Sequence, residues 1–194
     1  TVAEHTRMVL AQFERFWADR FSPAERKFWR LFLLLHDIGK AISVDRYGHK
    51  HYQHQTTWPV MAAVLQAAGS AVAEQQLARV LLQQDVLGQY LKDQLSLDAA
   101  AKQVIQMATK LNWPAPRLGH WLYVFFTVDA GAYTVWAGGQ QSLDDLFTVA
   151  ATPARIELTD DHDQVRHRQE YQQQTPAAKW RQLYRAITRP TADS

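Results

Sequence analysis

Apolar residues recur at three- and four-residue spacing along most of this chain, and that spacing commits it to helices. Between residues 4 and 19 the apolar positions are Met8, Val9, Phe13, Phe16 and Trp17. Ser22-Pro23-Ala24-Glu25 then reads as a helix start, with Ser22 as N-cap, Pro23 at the first helical position and Glu25 closing a capping box. The helix it opens carries Phe28, Leu31, Phe32, Leu34 and Leu35 and is expected to end near Gly39. Residues 41–54 are polar, contain Gly48 and several histidines, and read as a loop. Further helices are expected over 55–68, 70–84, 97–112 and 119–132, with "NWPAPRLG" as the break before the last of these. Ser142 with Asp144 and Asp145, Thr159 with Asp160 and Asp161, and Thr175-Pro176 look like later helix starts. Arg155–Leu158 is the one plausible strand, and it is short. The expected fold is an all-α helical bundle, with one domain over residues 1–150 and residues 151–194 as its helical C-terminal extension.

Composition narrows the function classes. At 194 residues, 47% apolar and 21% charged, the chain can bury one good core and is not built for disorder. It has no cysteine, which rules out disulfides and thiolate-held zinc. No run of eighteen apolar residues and no signal peptide are visible, so the expected setting is cytoplasmic and away from the membrane. Thr1 in place of Met is compatible with a chain cut from a longer protein. A formal net charge of +2 is too mild to argue for nucleic-acid binding by itself.

The chemistry concentrates at "LFLLLHDIGK", Leu31 to Lys40. Histidine and carboxylate side chains together suit divalent Mn, Fe, Co, Ni or Zn and leave room for bound water. Adjacent residues on a helix point about 100° apart, so His36 and Asp37 need partners from elsewhere to enclose an ion. His5, early in the first helix, and Asp129, at the end of "WLYVFFTVDAGAY", are polar residues set beside strongly apolar runs. An unpaired charge would be costly there.

"VAEHTRMVL", "LLLHDIGK" and "VDAGAY", in that order, resemble the H…HD…D signature of the HD-domain metal-dependent phosphohydrolases, over roughly residues 1–135. The resemblance implies an all-α fold in which His5, His36, Asp37 and Asp129 hold one or two divalent ions (Mn, Fe, Co, Ni, Mg or Zn). It also implies a second-ion set drawn from His54, His51 and Asp85. "HQTTWPVMAAVL" is similar to the family's helix that begins with a ligand histidine, and Asp85 stands where some members have a further histidine. Asp37 and Lys40 would carry catalysis, and Lys40, Arg46 and Lys50 would face the substrate phosphate. The implied activity is metal-activated hydrolysis of a nucleotide or nucleic-acid phosphate, on a phosphorylated small molecule or a nucleic-acid end. Two rivals share the fold: a metal- or nucleotide-binding module without turnover, and a di-iron oxygenase. No GxxxxGK[ST] loop occurs, which argues against ATP-driven phosphoryl transfer.

Plainer readings stand beside these. His36 and Asp37 could be a helix-end histidine and a capping aspartate. Asp129 could be a salt-bridge partner, Asp85 a hydrogen-bonding support for a ligand, Lys40 a complement to a helix C-terminus, and His49 a solvated loop residue. The second His-Asp pair, His162-Asp163, has no apolar run to mount it and reads as a solvated helix face. His120 beside Trp121 reads as a packing residue. Arg181, Arg185 and Arg189 form a stripe opposite Trp180, Leu183, Tyr184 and Ile187, the pattern of a surface helix docked on a core.

Overall fold

The structure, a computed structural model, describes residues 1–133 and 176–188. The expected helix starts at Ser142 and Thr159, the short strand at Arg155–Leu158, the His162-Asp163 pair, Arg189 and the 150/151 boundary lie outside these residues. Among the described residues every regular element is helical.

Capping boxes start the first two helices. In α1 (Val2–Phe16) the Thr1 hydroxyl accepts the Glu4 N–H at 3.1 Å. In α2 (Pro23–Leu35) Ser22 Oγ accepts the Glu25 N–H at 3.3 Å, while the Glu25 carboxylate accepts the Ser22 N–H at 3.0 Å. The box at Ser22 satisfies two otherwise orphaned backbone donors, so α2 begins where the sequence expects, whereas α1 begins two residues before the apolar pattern expected from residue 4.

The apolar faces of α1 and α2 pack with that of α8 (Ala115–Gly131). Phe13, Trp29, Phe32 and Leu118 are fully buried in this seam, and Trp29 stacks on Trp121 at 4.8 Å between ring centroids. Truncating one such aromatic to alanine costs roughly 3–5 kcal/mol. His120 packs its ring on Trp17 and Phe21, and burial, with Arg20 nearby, lowers its pKa. It is a packing residue, as expected.

The segment read as a histidine-rich loop is largely helical. α3 (Lys40–Tyr47) runs to Gly48, whose left-handed backbone (φ 75°) ends it. A 3-10 turn at Lys50–Tyr52 leads straight into α4 (Gln53–Ala67). The polar composition that suggested a loop belongs to a short helix with only Ser43 buried. Ser43 donates a hydrogen bond to the His49 carbonyl at 2.9 Å, folding the turn back on the helix.

α5 (Val72–Gln83), α6 (Val86–Leu91) and α7 (Leu97–Lys110) complete the bundle before Asn112, in the left-handed region at φ 53°, turns the chain toward α8. α9 (Pro176–Thr188) lies across α6, α7 and α8 with Trp180, Leu183 and Ile187 buried and Arg181 and Arg185 exposed. Trp180 stacks on Tyr123 at 4.7 Å, and Lys179 pairs with Asp93 at 2.6 Å. The arginine stripe therefore sits on a docked helix. No helix among the described residues is long and apolar enough to cross a membrane.

Candidate metal centre

Three helices deliver polar side chains to one end of the α1–α2–α8 seam. His5 comes from the second turn of α1, His36 and Asp37 from the end of α2, and Asp129 from the end of α8. Apolar packing fixes each mount, so the four residues need no flexibility to meet. His5 Nε2 lies 2.9 Å from Asp129 Oδ1, and His36 Nε2 lies 3.3 Å from the same oxygen. Asp37 Oδ2 is 3.7 Å from His5 Nε2 and 3.9 Å from His36 Nε2.

These separations test whether a divalent ion fits. With metal–ligand bonds of about 2.0–2.2 Å, ligand atoms spread at about 90–110° stand about 2.8–3.6 Å apart. The two contacts to Asp129 fall inside that range, and those to Asp37 exceed it by a few tenths of an ångström. Nδ1 of His36 lies 2.7 Å from the Leu33 carbonyl, so Nδ1–H donates there; Nε2, facing the two aspartates, donates to Asp129 when protonated and is the nitrogen that would ligate an ion once it loses that proton. Among the described residues His5, His36 and Asp37 are the group whose ligand atoms lie close enough to share an ion, all within 4.8 Å of one another; Asp129 touches both histidines but falls outside that mutual group. The donor set fits a borderline divalent metal.

The electrostatics are strongly coupled. Burial pushes the Asp129 carboxyl up, but hydrogen bonds and charge from His36 and His5 outweigh it and hold it well below the usual carboxylate range. Burial pushes His36 down, and the hydrogen bond and charge of Asp129, then Asp37 and the Leu33 carbonyl, bring it above the ordinary histidine value. Lys40 Nζ sits 2.7 Å from Asp37 Oδ2; burial lowers its pKa, and the bond and charge of Asp37 more than restore it. The side chains of His36 and Asp37 are 4% exposed, whereas that of Asp129 is 34% exposed. The centre opens to solvent on the Asp129 side.

Gly39 sets the Asp37–Lys40 turn against α4. Its N–H donates to Thr57 Oγ1 at 3.1 Å, and Thr56 Oγ1 donates to its carbonyl at 2.7 Å. A Cβ at Gly39 would overlap the backbone nitrogen of Thr57. The glycine of "HDIGK" is there for close approach.

Other residues singled out from the sequence are placed differently. Asp85 is the N-cap of α6 and accepts the Gly88 N–H at 2.9 Å; burial raises its pKa against the pull of that bond. His54, in the first turn of α4, is half-buried and stands outside the His5–His36–Asp37 group. His51 lies in the 3-10 turn, its side chain outside what is described. Arg46 and Lys50 are exposed at the end of α3 and the start of that turn, and His49 is exposed with its ring 5.3 Å from Tyr52. His49 is thus solvent-facing, as the sequence reads it.

Tyr133 was not anticipated. Its ring lies 4.6 Å from that of His5, and burial and the charge of Asp129 raise its pKa while Lys40 lowers it. One signal in the sequence could have found it: it follows Asp129 by four residues, one helical turn. No protein-family model matches the chain, and no curated protein or solved structure shows significant similarity to it.

Proposed function

We propose that this chain is a metal-dependent phosphohydrolase acting on a nucleotide or nucleic-acid phosphate. The observation that carries the reading is the meeting of His5, His36 and Asp129 at 2.9 and 3.3 Å, with buried Asp37 beside them. His5, His36, Asp37 and Asp129 would hold the ion. When bound, a divalent ion supplies a Lewis acid for a phosphoryl oxygen and acidifies a water.

The chain's own residues do the rest. Asp37, fixed by burial and by Lys40, would orient the attacking water. Lys40 Nζ would offset charge building on the phosphoryl oxygens. The Tyr133 ring packs beside His5, and Arg46 and Lys50 add positive charge on exposed surface of α3 and the following turn. The partial exposure of Asp129 suits a substrate that enters from solvent. An oxygenase using two irons would call for a second ligand group, and among the described residues neither Asp85 nor His54 joins His5, His36 and Asp37.

The test is elemental analysis of the purified chain, paired with a panel of phosphomonoesters and phosphodiesters, with and without added Mn2+, Co2+ or Zn2+. Metal-dependent release of phosphate from nucleotides or oligonucleotides, faster than from sugar phosphates and weakened by salt, is expected. Bound iron with oxygen uptake and no phosphate release would replace hydrolysis with oxidation. Equal turnover of sugar phosphates and nucleotides at any salt would leave a general phosphatase.

A further inference from the structure

The ion pair between Lys40 and Asp37 bears on how many cations the centre holds. Resting on the metal-centre reading above, we propose that Lys40 is the second cation of a one-metal site: its ammonium shares Asp37 with a single divalent ion and fills the place a second ion would need.

Three observations carry this. First, Lys40 Nζ lies 2.7 Å from Asp37 Oδ2, the oxygen that also stands 3.7 and 3.9 Å from the Nε2 atoms of His5 and His36. A carboxylate oxygen aimed at the histidines on one side and an ammonium on the other is arranged as a bridge between two positive charges. Second, two of the residues that would be asked to hold another ion are placed otherwise. Asp85 Oδ1 accepts the Gly88 N–H as the N-cap of α6, and His54 is outside the group of His5, His36 and Asp37. Third, Lys40 is held on its mark by the fold. Gly39, its chain neighbour, is pinned on both sides by Thr56 and Thr57, and the Lys40 N–H donates to the Asp37 carbonyl at 2.9 Å. The side chain then reaches Asp37 across one turn of backbone.

Charge balance gives the arrangement a purpose. Two neutral histidines and two carboxylates are cancelled by one divalent ion, so such a site alone would not attract a phosphate. Lys40 leaves it with a net positive charge, as a second ion would, without a second set of ligands. The same lysine competes with the ion for Asp37, so its presence weakens metal binding while it favours an anionic substrate.

The experiment titrates the metal-free full chain with Co2+, followed by visible absorption and equilibrium dialysis, alongside Lys40→Met, Lys40→Gln, Lys40→Arg and His36→Ala, with circular dichroism to check folding. The parent chain should bind one equivalent. Lys40→Met and Lys40→Gln should still bind one, at least about tenfold more tightly, with weaker binding of inorganic phosphate by dialysis, and Lys40→Arg should behave like the parent. Two equivalents on the parent chain, or unchanged Co2+ affinity in both neutral variants, would overturn the proposal while leaving a metal centre in place. Rescue by Lys40→Gln would also overturn it, because a hydrogen-bonding tether would then suffice. No Co2+ binding by the parent, or binding indifferent to His36→Ala, would instead remove the metal-centre reading.

Discussion

Nε2 of His5 lies 2.9 Å from Oδ1 of Asp129, although 124 positions separate them in the chain. The contact ties the start of α1 to the end of α8, and His36 meets the same oxygen from α2 at 3.3 Å. A single carboxylate thus collects two imidazoles from two other helices, and it does so at the one end of the seam where aromatic packing gives way to polar side chains.

Removing a member of that set should separate metal loss from unfolding. His36→Gln and Asp37→Asn keep size and leave the Trp29–Trp121 packing untouched, so both should fold. Each should lose more than about 100-fold in metal affinity, beyond what loss of a supporting hydrogen bond alone causes. Calorimetric metal titration with a circular-dichroism control measures this; full metal binding by Asp37→Asn would exclude that carboxylate from the centre.

The pH response should change sign when metal is added. His36 is raised above its ordinary value of 6.5, so its contribution to stability is complete below that pH and is lost as pH rises through the raised value. The metal-free chain should therefore melt lower at pH 8 than at pH 6. A metal needs the neutral imidazole, so its affinity should fall about tenfold per pH unit below the His36 pKa. Melting curves at both pH values with excess Zn2+ should then show the opposite trend. Parallel trends with and without metal would mean that His36 does not bind it.

Gly39→Ala tests the turn that presents Asp37 and Lys40. The added methyl overlaps Thr57 and comes within 2.7 Å of Thr56 Oγ1, and the obstacle is mostly backbone, which cannot step aside. A loss of about 1–3 kcal/mol is expected from overpacking alone. Metal affinity should fall with it, because the turn carries Asp37, a proposed ligand. Chemical denaturation and metal titration on the same variant measure both effects, and an unshifted midpoint would show that the approach of α4 is not tight.

Asp85 separates capping from ligation. Asp85→Ala removes the acceptor for the Gly88 N–H and should cost about 1 kcal/mol, with metal stoichiometry and affinity unchanged. Asp85→Asn or Asp85→Ser should recover most of the stability. If metal affinity dropped in all three variants, the carboxylate would be serving the ion rather than the helix.

Much of this was legible in the sequence because the signals were local. Helical spacing and the capping box at Ser22 act within one turn of chain, so the second helix begins where the order of residues says it must. Residues 41–54 show where local reading fails. Their polarity looks like a loop, but polarity reports exposure, and an exposed helix is as polar as a loop.

The sequence by itself determined the helical class, the mounting of His36 and Asp37 at the end of an apolar helix, and the docked character of α9, since each follows from spacing along one segment. Only the tertiary structure decided which distant polar residues share a centre. It brought Asp129 and His5 into contact, set Tyr133 against His5, turned Asp85 to cap α6, and left His54 apart. The reason is physical: a side chain's partner is fixed by how helices pack, and packing depends on the shape of whole apolar faces. Two aspartates set in comparable sequence surroundings, Asp85 and Asp129, therefore end up at a helix N-terminus and at the centre of the site.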